Sequence, residues 1–193
     1  MHKSIACGLF HSVALKDDET LECWGDNEDN QCDPVYKSFT GVIGVACGRY
    51  HSVALLDTGN LECWGDNIDN QCDPVYKTFE CVIDVSCGRK HSVSLLSDGT
   101  IECWESNVCN QCDPVYKTFT SIIDVACVLY NSVTLKRDKN SKYWRDTVWN
   151  QFYPVYKSFE CIIDIDCGRN HSVALRSDGT VECWEIINVI NVI

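Results

Sequence analysis

The chain has 193 residues, 45% of them hydrophobic and 23% charged, which excludes a disordered chain and leaves room for one domain with its own core. The formal net charge is -12 and the pI near 4.7, a surface that repels phosphate backbones, so DNA binding is not expected. No stretch is long and apolar enough to span a bilayer as a helix.

Met1-His2-Lys3-Ser4 runs straight into Ile5-Ala6-Cys7-Gly8 without the apolar run of a secretory leader, so the expected compartment is cytosolic or nuclear. From there the sequence repeats every 40 residues: Trp24, Trp64, Trp104, Trp144 and Trp184 share one column, and Pro34, Pro74, Pro114 and Pro154 another. His11, His51, His91 and His171 form a third, with Asn131 in the fourth copy. A fixed period means one supersecondary unit copied several times, each copy shielding the next.

The unit is clearest in the third copy. Val82–Cys87 is a short apolar run and reads as a strand, followed by a turn at Gly88-Arg89-Lys90. His91–Leu96 alternates, with Val93 and Leu95 on one face. Ser97-Asp98-Gly99-Thr100 is a hairpin turn in which Gly99 supplies the positive φ. Ile101–Trp104 alternates again, and the polar segment to Pro114 reads as a loop or a short outer strand. Short strands without helices stack as a solenoid or fan out as propeller blades. A 40-residue period is long for a solenoid coil and favours blades.

Fifteen cysteines suggest zinc or disulfides, yet most fall in columns: Cys7, Cys47, Cys87, Cys127 and Cys167; Cys23, Cys63, Cys103 and Cys183; Cys32, Cys72 and Cys112; Cys81 and Cys161. Copying accounts for the number. Only Cys109-Asn110-Gln111-Cys112 has the short spacing of a zinc-ligand pair and no second pair accompanies it, so no metal or other cofactor is expected. Buried free thiols acting as small hydrophobes are the leading reading, and within-blade disulfides the alternative.

The second copy, Ala46-Cys47-Gly48-Arg49-Tyr50-His51-Ser52-Val53-Ala54-Leu55, then Asp57-Thr58-Gly59 and Cys63-Trp64-Gly65-Asp66-Asn67, resembles the repeats of the regulator-of-chromosome-condensation family. The likeness covers residues 4–185 as one repeat domain of five units, with 186–193 as a divergent tail. It implies an all-β, propeller-like array of about five small antiparallel blades, incomplete or open beside the family's usual seven-bladed ring. The fourth copy departs most, with Val128 for Gly, Asn131 for His, Lys139-Asn140 for Asp-Gly and Arg145 for Gly. The first has Asp18-Glu19 where the turn glycine belongs. The resemblance also implies a cross-strand disulfide in many bacterial members. Here Val13, Val53, Val93, Val133 and Val173 occupy the partner column.

Gly48, His51, Trp64, Gly88, His91, Gly99, Trp104, His171 and Trp184 read as structural repeat positions. The histidines would lock turns or neighbouring strands, and the indoles would fill the space between blades. Arg49, Tyr50, Arg89 and Arg169, in the turn before each His, are the candidate partner anchors, because Tyr and Arg dominate interface hot spots. No catalytic constellation is legible, so the expected role is a non-catalytic protein-interaction module. The resemblance implies two alternatives, nucleotide exchange on a small GTPase and enzyme inhibition. Open strand edges also allow self-association.

Overall fold

The computed structural model describes residues 5–33, 40–72, 81–104, 120–128, 131–138, 141–145, 161–168 and 171–185. They form fifteen strands in five three-stranded antiparallel sheets. The first sheet holds β1 (Ile5–Cys7), β2 (His11–Leu15) and β3 (Leu21–Gly25). The second holds β4 (Val42–Cys47), β5 (His51–Leu56) and β6 (Leu61–Gly65), and the third β7 (Val82–Cys87), β8 (Ser92–Leu96) and β9 (Ile101–Trp104). The fourth holds β10 (Ile122–Val128), β11 (Asn131–Lys136) and β12 (Ser141–Arg145), and the fifth β13 (Ile162–Gly168), β14 (His171–Arg176) and β15 (Val181–Glu185). Each sheet is a simple meander with its second strand in the middle. The three strands read from the third copy match β7, β8 and β9. The segment from 105 to Pro114 lies outside the described residues, as does the tail 186–193.

Local chemistry sets each meander. Gly99 takes φ 80 in the β8–β9 hairpin, where the Asp98 carboxylate accepts from the Thr100 amide at 2.8 Å, an Asx turn. Glu19 is forced to φ 63 at the same point of the first copy, a left-handed conformation that costs a side-chain-bearing residue about 1 kcal/mol. Asp18 nevertheless holds that turn by the same bond to Thr20, at 3.1 Å.

The core lies between sheets. Leu15 of the first sheet packs with Val42 and Ala54 of the second. Val53 and Leu55 meet Val82 and Val85, and Val93 and Leu95 meet Ile122 and Val125. Val133 and Leu135 meet Ile162, Ile165 and Ala174. Every interface therefore joins the odd-numbered face of one middle strand to the even-numbered face of the next.

The two outer sheets confirm this. In β2 only His11, Val13 and Leu15 are buried, whereas all of His51–Leu55 in β5 is. In β14 the parity reverses: Ser172 and Ala174 are buried and His171 is exposed. The array is open, and its first and last sheets each present an uncovered face.

Candidate functional site

The histidines form a ladder between sheets. His11 Nε2 bonds Ser52 Oγ at 2.8 Å, His51 Nε2 bonds Ser92 Oγ at 2.9 Å, and His91 Nε2 bonds Ser132 Oγ at 2.8 Å. Ser52 spends its proton on the Gln31 carbonyl at 3.1 Å. His11 must therefore donate from Nε2, which leaves Nδ1 as a bare acceptor. Burial pushes the imidazoles toward the neutral form, His51 down to about 3 and His91 to about 4. His171 is exposed on the last sheet, where no following sheet among the described residues supplies a serine to its ring.

The indoles reach backward. Trp64 Nε1 donates to the Gln31 carbonyl at 2.9 Å and Trp104 Nε1 to the Gln71 carbonyl at 3.0 Å. Trp104 is 8% exposed and Trp24, on the uncovered face of the first sheet, 51%. Trp184 lies in β15. Gly48 and Gly88 leave room for the rings of His51 and His91, which lie directly against their Cα atoms. These columns hold sheets together.

The turns before the histidines build a different surface. Phe10 and Tyr50, from successive copies, stack with ring centroids 5.8 Å apart. The Arg49 guanidinium lies 4.6 Å from the Tyr50 centroid and 5.7 Å from Phe10. Leu9 and Phe10 are exposed, Phe10 at 48%. The next turn adds half-buried Arg89 and also Lys90, whose Nζ lies 2.5 Å from Asp69 of the preceding copy. Among the described residues no carboxylate pairs with Arg49, so aromatic rings hold its charge in place. Arg49, Tyr50 and Arg89 thus occupy equivalent turns at one end of the sheets. Arg169 lies outside the described residues. Leu9 and Phe10 were not read as part of this surface, although their position opposite Arg49-Tyr50 in the 40-residue register was the signal.

A second exposed row also escaped the sequence. Ile43, Ile83, Ile123 and Ile163 are exposed because each sits at the register shift where the first strand bulges against the second. Alternation alone places such residues on a buried face; the bulge turns them out.

The cysteine columns divide. Cys47, Cys87, Cys127 and Cys167 are free thiols between sheets, as the leading reading had it. Burial pushes Cys47 and Cys127 up to about 12 and Cys167 to about 11, so they are inert at neutral pH. The Trp-strand cysteines differ. Val13 pairs across the strand with Cys23, leaving no sulfur there, and Cys23 instead forms a disulfide with Cys32 of the following loop. Cys103 is also disulfide-bonded. The free-thiol reading fails at these positions because the loop folds back onto its own strand.

Five meanders, each buttressed by its neighbours and open at both ends, define an incomplete β-propeller array. A family model described as the regulator of chromosome condensation (RCC1) repeat matches residues 3–31, 42–71, 82–111 and 162–184. The chain belongs to that repeat family. The eroded fourth copy falls outside those matches yet still builds its sheet, because Ile122, Val125, Val133 and Leu135 keep the buried positions.

Among solved structures the chain is similar to human WBSCR16, at 20% identity and a TM-score of 0.77, covering 94% of this chain and 61% of that one. It is also similar to Prp20p of Saccharomyces cerevisiae, at 17% identity and 0.67, covering 91% and 56%. For the ectodomain of the Physcomitrella patens receptor kinase CR4 the values are 19% and 0.72, covering 94% and 49%. The chain thus spans about half to three-fifths of these relatives, and at such identities the likeness is one of fold. No curated protein matches the sequence. Among the described residues no helix is long and apolar enough to cross a membrane, and no group of three or more His, Cys, Asp or Glu could hold a metal ion.

Proposed function

We propose that the chain is a non-catalytic interaction scaffold that docks a protein partner on the turn face built from Leu9, Phe10, Arg49, Tyr50 and Arg89. The carrying observation is the Phe10–Tyr50 stack, with Phe10 exposed, a guanidinium held over it and, among the described residues, no carboxylate paired with that charge. Such a cluster suits a partner segment with an apolar side chain beside an acidic one. Prp20p, a relative in fold, has been studied for its binding to Gsp1p and histones, which supports a protein partner in kind and leaves its identity to experiment.

Arg49→Glu and Tyr50→Ala are expected to abolish capture of a partner that the wild type retains, with melting temperature lowered only slightly because the stack with Phe10 lies at the edge of the inter-sheet contact and outside the buried core. Capture unaffected by both, at nearly unchanged stability, would overturn the turn face as the site. Nucleotide-release assays on small GTPases discriminate the exchange alternative, which requires accelerated release.

The uncovered face of the first sheet is a second docking place, and its fitted occupant is another copy of this chain. Trp24 and Ser12 stand there as Trp64 and Ser52 stand on the second sheet, where they are covered. The exposed His171 of a second copy offers Ser12 what His11 offers Ser52. Sedimentation velocity is expected to show concentration-dependent association that Trp24→Ala weakens about tenfold or more, as loss of a central aromatic anchor does. A strictly monomeric wild type at millimolar concentration would remove this idea.

A further inference from the structure

We propose that the Trp-strand and loop cysteines are periodic oxidation sites, Cys23–Cys32 and Cys63–Cys72, that a small-molecule disulfide such as oxidised glutathione closes and that thereby clamp the carbonyl on which the next sheet docks. Three observations meet at these sites.

The first is connectivity. Cys23 and Cys32 are already joined. One repeat later the Cys63 and Cys72 sulfurs stand 2.6 Å apart, far inside the separation of two non-bonded sulfurs. The same strand–loop juxtaposition thus recurs in successive copies.

The second is what the loop carries. Cys32 follows Gln31, whose carbonyl accepts both Trp64 Nε1 and Ser52 Oγ of the second sheet. Cys72 follows Gln71, whose carbonyl accepts Trp104 Nε1 of the third. Gln31 and Gln71 are fully buried. Each sulfur pair therefore pins the residue next to an inter-sheet acceptor to the strand of its own sheet.

The third is contrast within the molecule. The cysteines between sheets, Cys47, Cys87, Cys127 and Cys167, have no sulfur partner and touch serine hydroxyls instead. Among the described residues, only the strand–loop columns bring two sulfurs within bonding reach of each other.

The chemistry balances. A Cys72 thiolate attacks one sulfur of oxidised glutathione and expels a glutathione thiolate, forming a mixed disulfide. The Cys63 thiolate then attacks the Cys72 sulfur and expels the second glutathione. Two protein thiols lose two protons and two electrons, and one glutathione disulfide takes them up to become two thiols.

The test uses the full chain equilibrated at graded ratios of reduced to oxidised glutathione, then alkylated and mapped by mass spectrometry. Protection of Cys23 with Cys32 and of Cys63 with Cys72, as linked peptides, is expected. The oxidised form should melt several degrees higher, and the indole emission should shift on reduction as the Gln31 and Gln71 acceptors loosen. Cys72→Ser and, separately, Cys72→Ala should remove the Cys63 linkage and part of the emission change while Cys23–Cys32 persists. Linkages of Cys63 to a column-one cysteine, or linkage of both pairs with no change in melting or emission, would overturn the proposal.

Discussion

Acidification from pH 6.5 to 4.5 is expected to destabilise the array by about 2 kcal/mol, and the imidazoles between the sheets are the reason. Burial holds His51 at about 3 and His91 at about 4, against an ordinary value near 6.5. The unfolded chain takes up these protons below pH 6.5 and the folded chain does not. The stability they provide is therefore complete above pH 6.5 and is lost as the pH falls toward 4 and then 3.

A carboxyl works against them. Asp124, desolvated and close to Asp84, Asp164 and Asp166, is pushed up to about 7. The folded chain then binds a proton on Asp124 that the unfolded chain lacks, so this group adds stability as the pH falls. Two imidazoles less one carboxyl leave a net loss that averages about 1 kcal/mol per pH unit over this range, below the limit of about 1.4 for one full proton. His11 is shifted down and Asp84 up, again in opposite senses. Thermal melts across this range check the slope, and His51→Gln should flatten it. A melting temperature constant from pH 7 to 4.5 would mean that the imidazoles are not buried neutral.

Gly48→Ala is expected to cost about 3 kcal/mol, more than a surface substitution by a wide margin. A Cβ on Gly48 would stand 2.5 Å from the Gly88 carbonyl oxygen and 2.5 Å from His51 Nδ1. The first is backbone of the next sheet and the second a ring locked to Ser92, so neither can yield. The double variant Gly48→Ala, His51→Asn should recover part of the loss, because the ring clash disappears while the carbonyl clash stays. Denaturant melts of the two single variants and the double measure that coupling. The fourth copy already shows the paired change, Val128 with Asn131.

Much of each sheet was legible because it is local. Alternation in His91–Leu96, the Asp-Gly turn and the 40-residue spacing together define β7, β8 and β9. That Arg49, Tyr50 and Arg89 lie in turns between strands was legible for the same reason, since the Gly-x-x-His spacing sets the turn. Phe10 was missed because only the sheet-to-sheet register brings it against Tyr50. The isoleucine row was missed because a bulge inverts the alternation on which the reading depended. The partner of Cys23 was missed because a loop excursion does not follow strand pairing.

By itself the sequence determined the repeating unit: three short strands, their turns and their register, all encoded by contacts within about 25 residues of chain. The tertiary structure alone decided which face of each unit is covered. The copies carry nearly the same residues on both faces, so His51 is buried and His171 exposed although their local sequences agree. Burial, the neutral imidazole and the docked indole belong to the interface between copies, and an interface exists only where a neighbouring sheet stands.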